Sequence, residues 1–145
     1  MSRIPRDQEH LKTGFTAEAA SAARYRAYAE RAEAEGLPNL AREWLDMAAQ
    51  KDLLAMRLLE TAGQVKGEGL DIAQAISTER YENEVLYPKM LREVSPDSGD
   101  AVLAVIASQK EQLRRLEALR DRFMAAQGDV ALPAEVDAGT GTHKG

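Results

Sequence analysis

The sequence predicts an all-α fold, a four-helix bundle made of two antiparallel helical hairpins that are joined by a crossover. Alanine, leucine, glutamate and arginine dominate the 145 residues, only 5% are aromatic, and no alternating β-branched run occurs. Apolar residues recur every three or four positions in four long segments, as they do on amphipathic helices. Short connections join the first segment to the second and the third to the fourth, so each pair is expected to form an antiparallel hairpin.

The first hairpin contains the first two predicted helices. The first helix begins near Pro5 and Asp7, since proline suits a first helical turn and an acidic residue suits the N-terminal end of the helix dipole, and it ends at Gly36. The second helix runs from about residue 39 to residue 62. Each inward face carries one charged residue, Glu18 in the first helix and Lys51 in the second. The predicted inward face of the second helix is Leu40, Trp44, Met47, Lys51, Leu54 and Leu58.

The second hairpin follows a glycine-containing crossover at 63–69. Its first helix runs from about residue 71 to residue 94 and contains Pro88, which predicts a kink. A turn at 95–99 leads to the last helix, which runs from about residue 100 to residue 127. The predicted inward face of the third helix is Ile72, Ala75, Glu79, Glu82, Leu86 and Met90.

Length and composition also limit the domain organisation and the class of function. We expect one domain at 1–127 and a flexible tail at 128–145, which is rich in glycine, alanine and threonine. The net charge of -5 argues against a sequence-independent nucleic-acid partner. The chain has no cysteine, so disulfides, iron–sulfur ligation and a thiol nucleophile are excluded. No stretch approaches the roughly 20 apolar residues that span a bilayer, so we expect a cytoplasmic protein without a membrane partner.

Five charged residues lie on faces where core side chains are expected, namely Glu18, Glu79, Glu82, Lys51 and Lys110. The two hairpins look like two copies of one unit, each with an inward glutamate followed by an inward lysine. An unpaired buried charge is very costly, so these residues predict a Glu/Lys network between the helices. We expect replacement of Lys51 or Lys110 by alanine to destabilise the protein strongly, and the pair Lys51→Met with Glu18→Gln to do so much less.

Two stretches of the chain resemble the rubrerythrin branch of the ferritin-like di-iron proteins. The residues that show it are Leu11, Lys12, Thr13, Phe15, Glu18, Arg24 and Tyr25 in the first helix, and Glu79, Arg80, Tyr81, Glu82, Tyr87 and Pro88 in the third. The likeness extends over roughly residues 8–125. It implies a ferritin-like four-helix bundle, a homodimer, iron as the cofactor and oxidoreductase activity toward iron or peroxide.

Proteins of this family bind two irons with single glutamates from the first and third helices and a Glu-x-x-His pair from each of the others. The resemblance places Glu18 and Glu79 at the single glutamates and Glu82 at a further glutamate that rubrerythrins carry. These three are the candidate metal ligands. The tyrosines that the resemblance places beside the site are Tyr25, Tyr81 and Tyr87.

Both Glu-x-x-His pairs are missing from this chain. The matching positions hold Lys51 and Leu54 in the second helix, and Lys110 and Leu113 in the fourth. The lysines can take over the charge-balancing role of the metals, while the leucines fill the volume of the histidines. The lysines could instead be bases with a depressed pKa, but charge compensation is the simpler interpretation. We therefore expect neither a di-iron centre nor a catalytic residue, and we predict no cofactor, with iron as the alternative.

Three classes of function remain open from the sequence. The first is a degenerate ferritin-like protein that serves as a structural or interaction module. The second is a rubrerythrin-like, metal-binding oxidoreductase that acts on iron or peroxide. The third is a small-molecule binding bundle whose ligand fills the space of the metals, in a cavity lined by Leu54, Leu86 and Leu113. The missing Glu-x-x-His pairs favour the first class.

Overall fold

A computed structural model of the chain describes residues 5–67, 69–126 and 128–132, and these residues contain helices and short connections but no strand. The elements are α1 (Asp7–Ala34), α2 (Pro38–Thr61), α3 (Leu70–Tyr81), a π-helical turn (Glu82–Leu86), α4 (Tyr87–Glu93) and α5 (Pro96–Ala125). The predicted all-α fold class is confirmed. None of the described helices is long and apolar enough to cross a membrane. Most of the predicted tail lies outside the described residues.

The chain divides into two compact units, Met1–Lys66 and Gly67–Gly145. The division falls in the predicted crossover, so the units correspond to the two predicted hairpins. In the first unit α1 and α2 pack against each other. In the second unit α3, the π-helical turn and α4 form one arm, and α5 forms the other.

Alanines form the contact between α1 and α2. The buried residues of the first unit, each at most 5% exposed, are Ala22, Ala29, Ala32, Ala41, Ala48 and Ala55. Those on α2 are seven residues apart, a spacing that keeps side chains on one helix face. A Cβ atom added to Gly14 would lie only 3.0 Å from Cδ1 of Leu58, so the two helices also approach closely near the open end of the hairpin. The small side chains therefore allow the two helices to pack closely against each other.

A Schellman motif closes α1, as glycine at this position predicts. Gly36 has a φ of +76°, the left-handed conformation that glycine adopts without steric cost. The backbone N–H of Leu37 donates to the carbonyl oxygen of Ala32 at 2.9 Å, and that of Gly36 donates to Glu33 at 3.0 Å. These are the two hydrogen bonds that define the motif. Pro38 then occupies the first position of α2, where no backbone N–H is needed.

The two arms of the second unit run antiparallel. Arg80 donates a hydrogen bond to Glu117 at 3.1 Å, while a Cβ atom added to Gly99 would lie 3.7 Å from Leu91. Helix α5 begins at Pro96, about four residues earlier than the sequence indicated. The residues that read as a plain turn are its first turn, because proline and an acidic residue are both favourable there.

The π-helical turn lies just before Pro88 and changes the inward face of the third predicted helix. The N–H of Tyr87 donates to the carbonyl of Glu82, five residues earlier, and Pro88 follows without an N–H of its own. A π-turn adds one residue to a helical turn, so the inward positions after it move by one. Leu91 is accordingly half-buried, whereas Met90, which was predicted to face inward, is exposed.

Candidate functional site

An ion pair joins the two helices of the first unit at the positions that the sequence singled out. Nζ of Lys51 on α2 lies 2.8 Å from Oε2 of Glu18 on α1. The side chains are 30% and 25% exposed, respectively, so the pair is half-buried rather than part of a sealed core. The close alanine contact between the helices brings the two residues within reach of each other.

The surroundings of Lys51 favour its charged form. A hydrogen bond to Glu18 is the main cause that raises the pKa of Lys51 above 10.5, and the negative charge of Glu18 and the nearby Tyr25 act in the same direction. Partial desolvation opposes them but does not prevail. Lys51 is thus an ammonium at neutral pH. The alternative in which Lys51 is a base with a depressed pKa is wrong, since the direction of the shift is the opposite.

This shift predicts a loss of stability at alkaline pH. A group whose pKa is raised by folding contributes its full stabilisation below its ordinary pKa, 10.5 for lysine, and loses it as the pH rises through the folded-state pKa. As the pH rises above 10.5, the urea midpoint of the wild-type protein should therefore decrease more than the urea midpoint of Lys51→Met decreases. Lys110→Met is the matched control and should keep the full alkaline decrease. Identical alkaline profiles for wild type and Lys51→Met would refute this role for the ion pair.

The polar side chains of the second unit are arranged differently from the ion pair of the first unit. The side-chain amide of Gln109 on α5 donates to Oε2 of Glu82 at 2.6 Å. Three further oxygens are buried and accept no hydrogen bond among the described residues, namely Oε2 of Glu79, Oδ1 of Asn83 and Oε1 of Gln109. Glu82 and Asn83 belong to the π-helical turn, a feature that is often found at functional sites. Oε2 of Glu18 in the first unit also accepts no hydrogen bond of standard geometry, but the ammonium of Lys51 lies 2.8 Å from it, whereas the oxygens of the second unit have no such ion pair among the described residues.

Lys110 does not face inward as predicted. It is exposed and forms no ion pair in the part of the chain that the structure describes. Consecutive helical residues point roughly 100° apart, and in α5 it is Gln109 and Leu113 that are half-buried. The predicted strong effect of Lys110→Ala is therefore corrected to a small one. Gln109 precedes Lys110 in the sequence, and a polar residue four positions before the apolar Leu113 was the feature that could have indicated its role.

The remaining predicted residues lie in three different environments. Tyr25 is half-buried, and its ring centroid lies 5.2 Å from that of Trp44 in the first unit. Tyr81 is exposed, whereas Tyr87 is half-buried in α4. Leu54 is exposed. Tyr25 is also one of the groups that raise the pKa of Lys51.

The side chains in the described residues do not suit a di-iron centre. No group of three or more histidine, cysteine, aspartate or glutamate residues among them could hold a metal ion. The carboxylate of Glu18 already contacts an ammonium, and a leucine stands at each position where the family has a histidine. An ammonium repels a metal ion and leucine has no lone pair to donate, so these positions cannot act as the missing ligands.

The comparison with protein families is consistent with the all-helical fold described above. The family model named Rubrerythrin matches residues 9–95, which extend from α1 through α4. No curated protein matches the chain. Because the family match spans more than half of the 145 residues, the chain belongs to the rubrerythrin family and is a ferritin-like, all-helical protein.

Proposed function

We propose that this protein is a degenerate member of its family, in which an internal lysine replaces bound metal in the first hairpin, and that it acts as a structural or interaction module. The observation that supports the proposal best is the 2.8 Å ion pair between Lys51 and Glu18. A di-iron core places cations among several carboxylates, and here a cation covalently attached to α2 neutralises one of them. Charge balance at Glu18 then no longer depends on metal.

The substitutions act together on coordination and on charge. Lys51 and Lys110 replace carboxylate ligands by cations, while Leu54 and Leu113 replace imidazole nitrogens by hydrocarbon. Each of the four changes removes a donor atom, and the lysines also add repulsion toward a divalent ion. The remaining glutamates are too few to coordinate two irons.

Anaerobic loading with ferrous iron tests this proposal directly. We expect no stoichiometric iron per chain by mass spectrometry and no oxygen-dependent change in absorbance. About two irons per chain in the wild-type protein would contradict the proposal and favour an oxidoreductase that acts on iron or peroxide.

A metal-binding protein is the second candidate function, and the unpartnered oxygens of the second unit favour it. Glu79, Asn83 and Gln109 each have a buried oxygen that accepts no hydrogen bond within the described residues. Carboxylate and amide oxygens suit hard cations such as Mg²⁺ or Ca²⁺ better than they suit a redox pair of irons. One bound cation per chain that is lost in Glu79→Gln would favour this candidate over the first.

We further propose that the interaction module forms a homodimer through α2. Leu45, Leu53 and Met56 lie on one face of this helix and are exposed, with Leu53 as much as 62% accessible. This face differs from the one that carries the buried alanines. A row of large apolar side chains in contact with water is typical of a protein interface.

A charge in the middle of this face should break the dimer. We expect a mass of about twice the 15.9 kDa chain by light scattering and the monomer mass for Leu53→Glu, because a carboxylate is costly to bury without a partner. Leu103→Glu is the matched control, since Leu103 is also exposed but belongs to α5. A monomeric wild-type protein, or dimers that survive Leu53→Glu, would exclude this interface.

A further inference from the structure

A groove of about 450 Å³ lies on the second unit, where α3 and the π-helical turn meet a side chain of α5. Its volume is within the range of small-molecule sites, roughly 300–1,000 Å³. None of the residues that match the di-iron ligands of the family lines it. The residues that matter for recognition are Ile76, Ser77, Arg80, Tyr81, Val85 and Arg120.

The groove offers an apolar surface to a ligand. Ile76 is only 5% exposed and is the largest buried side chain among the described residues of its unit, so it gives the groove a fixed apolar base. Tyr81 and Val85 are exposed and add an aromatic ring and a branched aliphatic group. A flat apolar body of a few carbon atoms that rests on Ile76 would remove the exposed side chains of Tyr81 and Val85 from water.

Two guanidinium groups line the same groove and retain unused donors. Arg80 donates from Nη2 to Glu117 at 3.1 Å, and Nε of Arg120 is 3.4 Å from the carboxylate of Asp121, a long contact. A guanidinium carries five N–H donors, so both arginines can still bind an anion. Glu84 lines the groove as well, and Glu117 and Asp121 each contact one of the arginines, so a bound anion must compete with these carboxylates for the guanidinium donors.

We propose that this groove binds a small organic carboxylate, such as an aromatic or short aliphatic acid. The apolar body lies on Ile76 and Val85 beside the ring of Tyr81, and the carboxylate accepts two hydrogen bonds from the guanidinium of Arg120. Arginine and carboxylate match each other in this two-pronged geometry. The proposal does not depend on the metal-related function, because it uses none of the same residues.

Benzoate is the probe that tests the groove, with amide chemical shifts of the full-length protein as the readout. We expect saturable shifts that concentrate at Ile76, Ser77 and Val85. Benzamide has the same ring without the charge, and acetate has the charge without the ring; each should bind at least about tenfold more weakly. Equal affinity for benzamide would overturn the role of the arginines, and equal affinity for acetate would overturn the apolar part.

A pair of variants completes the test. Arg120→Gln removes the charge that the groove uses and should weaken benzoate binding by about tenfold or more. Arg115→Gln is the matched control, because Arg115 is exposed on the same helix but does not line the groove. Arg80 is left intact because it also links α3 to α5. The absence of saturable shifts with benzoate, or equal losses in both variants, would overturn the proposal.

Discussion

Replacing Ala48 with leucine should lower the free energy of unfolding of the first unit by about 1–3 kcal/mol, the usual effect of overpacking a tight contact. Ala48 is only 2% exposed and belongs to the row of alanines through which α2 contacts α1. Three additional carbon atoms have no space there unless the helices separate. Separation would also weaken the ion pair between Glu18 and Lys51, which depends on the same short distance.

The fluorescence of Trp44 provides a specific measurement for this variant. It is the one tryptophan of the chain, and it packs against the alanine cluster of the first unit. Urea unfolding followed at this residue therefore reports on the hairpin that the mutation changes. Ala49→Leu is the matched control, since Ala49 is the next residue and is exposed. If Ala48→Leu and Ala49→Leu unfold at the same urea concentration, the alanine contact is not the close one that we describe.

Gly69→Ala should destabilise the second unit through two separate effects. Gly69 has a φ of +82°, and alanine in the left-handed conformation costs about 1–2 kcal/mol. The new Cβ atom would also lie 2.8 Å from Cε1 of Phe123, so the ring on α5 must move. Displacing a packed side chain adds about 1–3 kcal/mol. The second effect acts on the contact between the start of α3 and the end of α5.

Gly63→Ala separates the two effects. Gly63 has a φ of +72° but no atom within 4 Å of its added Cβ, so it should show the backbone effect alone. Thermal unfolding by circular dichroism should give a larger loss for Gly69→Ala than for Gly63→Ala. The difference should shrink when Phe123 is replaced by alanine, as a double-mutant cycle can measure. Equal losses in the two glycine variants would mean that Phe123 does not pack on this position.

Periodicity predicted the helices of this protein well, but only part of the predicted inward face of α2 is covered, namely the half-buried Trp44, Lys51 and Leu58. Leu40, Met47 and Leu54 were expected inside because they are large and apolar, yet they are exposed, while Ala41 and Ala48 are buried against α1. Hydrophobicity ranks leucine above alanine, whereas a close helix–helix contact requires the smaller side chain. The distance between two helices is a property of the tertiary structure, and the hydrophobicity pattern of a single sequence does not determine it.

The candidate site, like the helix faces, was predicted correctly in part. Glu18 and Lys51 were predicted as inward charges, and the structure brings them together. Lys110 was assigned by analogy with Lys51, but the neighbouring Gln109 takes the inward position in α5 and binds Glu82. A shift of one residue along a helix turns a side chain by roughly 100°, so an approximate internal repeat is not sufficient to decide between neighbours.

The π-helical turn also has an evolutionary consequence. It accommodates one more residue than an α-helical segment of the same number of turns. Loss of a single codon within Glu82–Leu86 would let the segment return to α-helical geometry over the same number of turns, so the side chains after it would keep their faces. A single-residue deletion within α3 would instead turn every following side chain by roughly 100°. The π-helical turn is thus the place in this arm where the chain can lose one residue and leave the interior of the second unit unchanged.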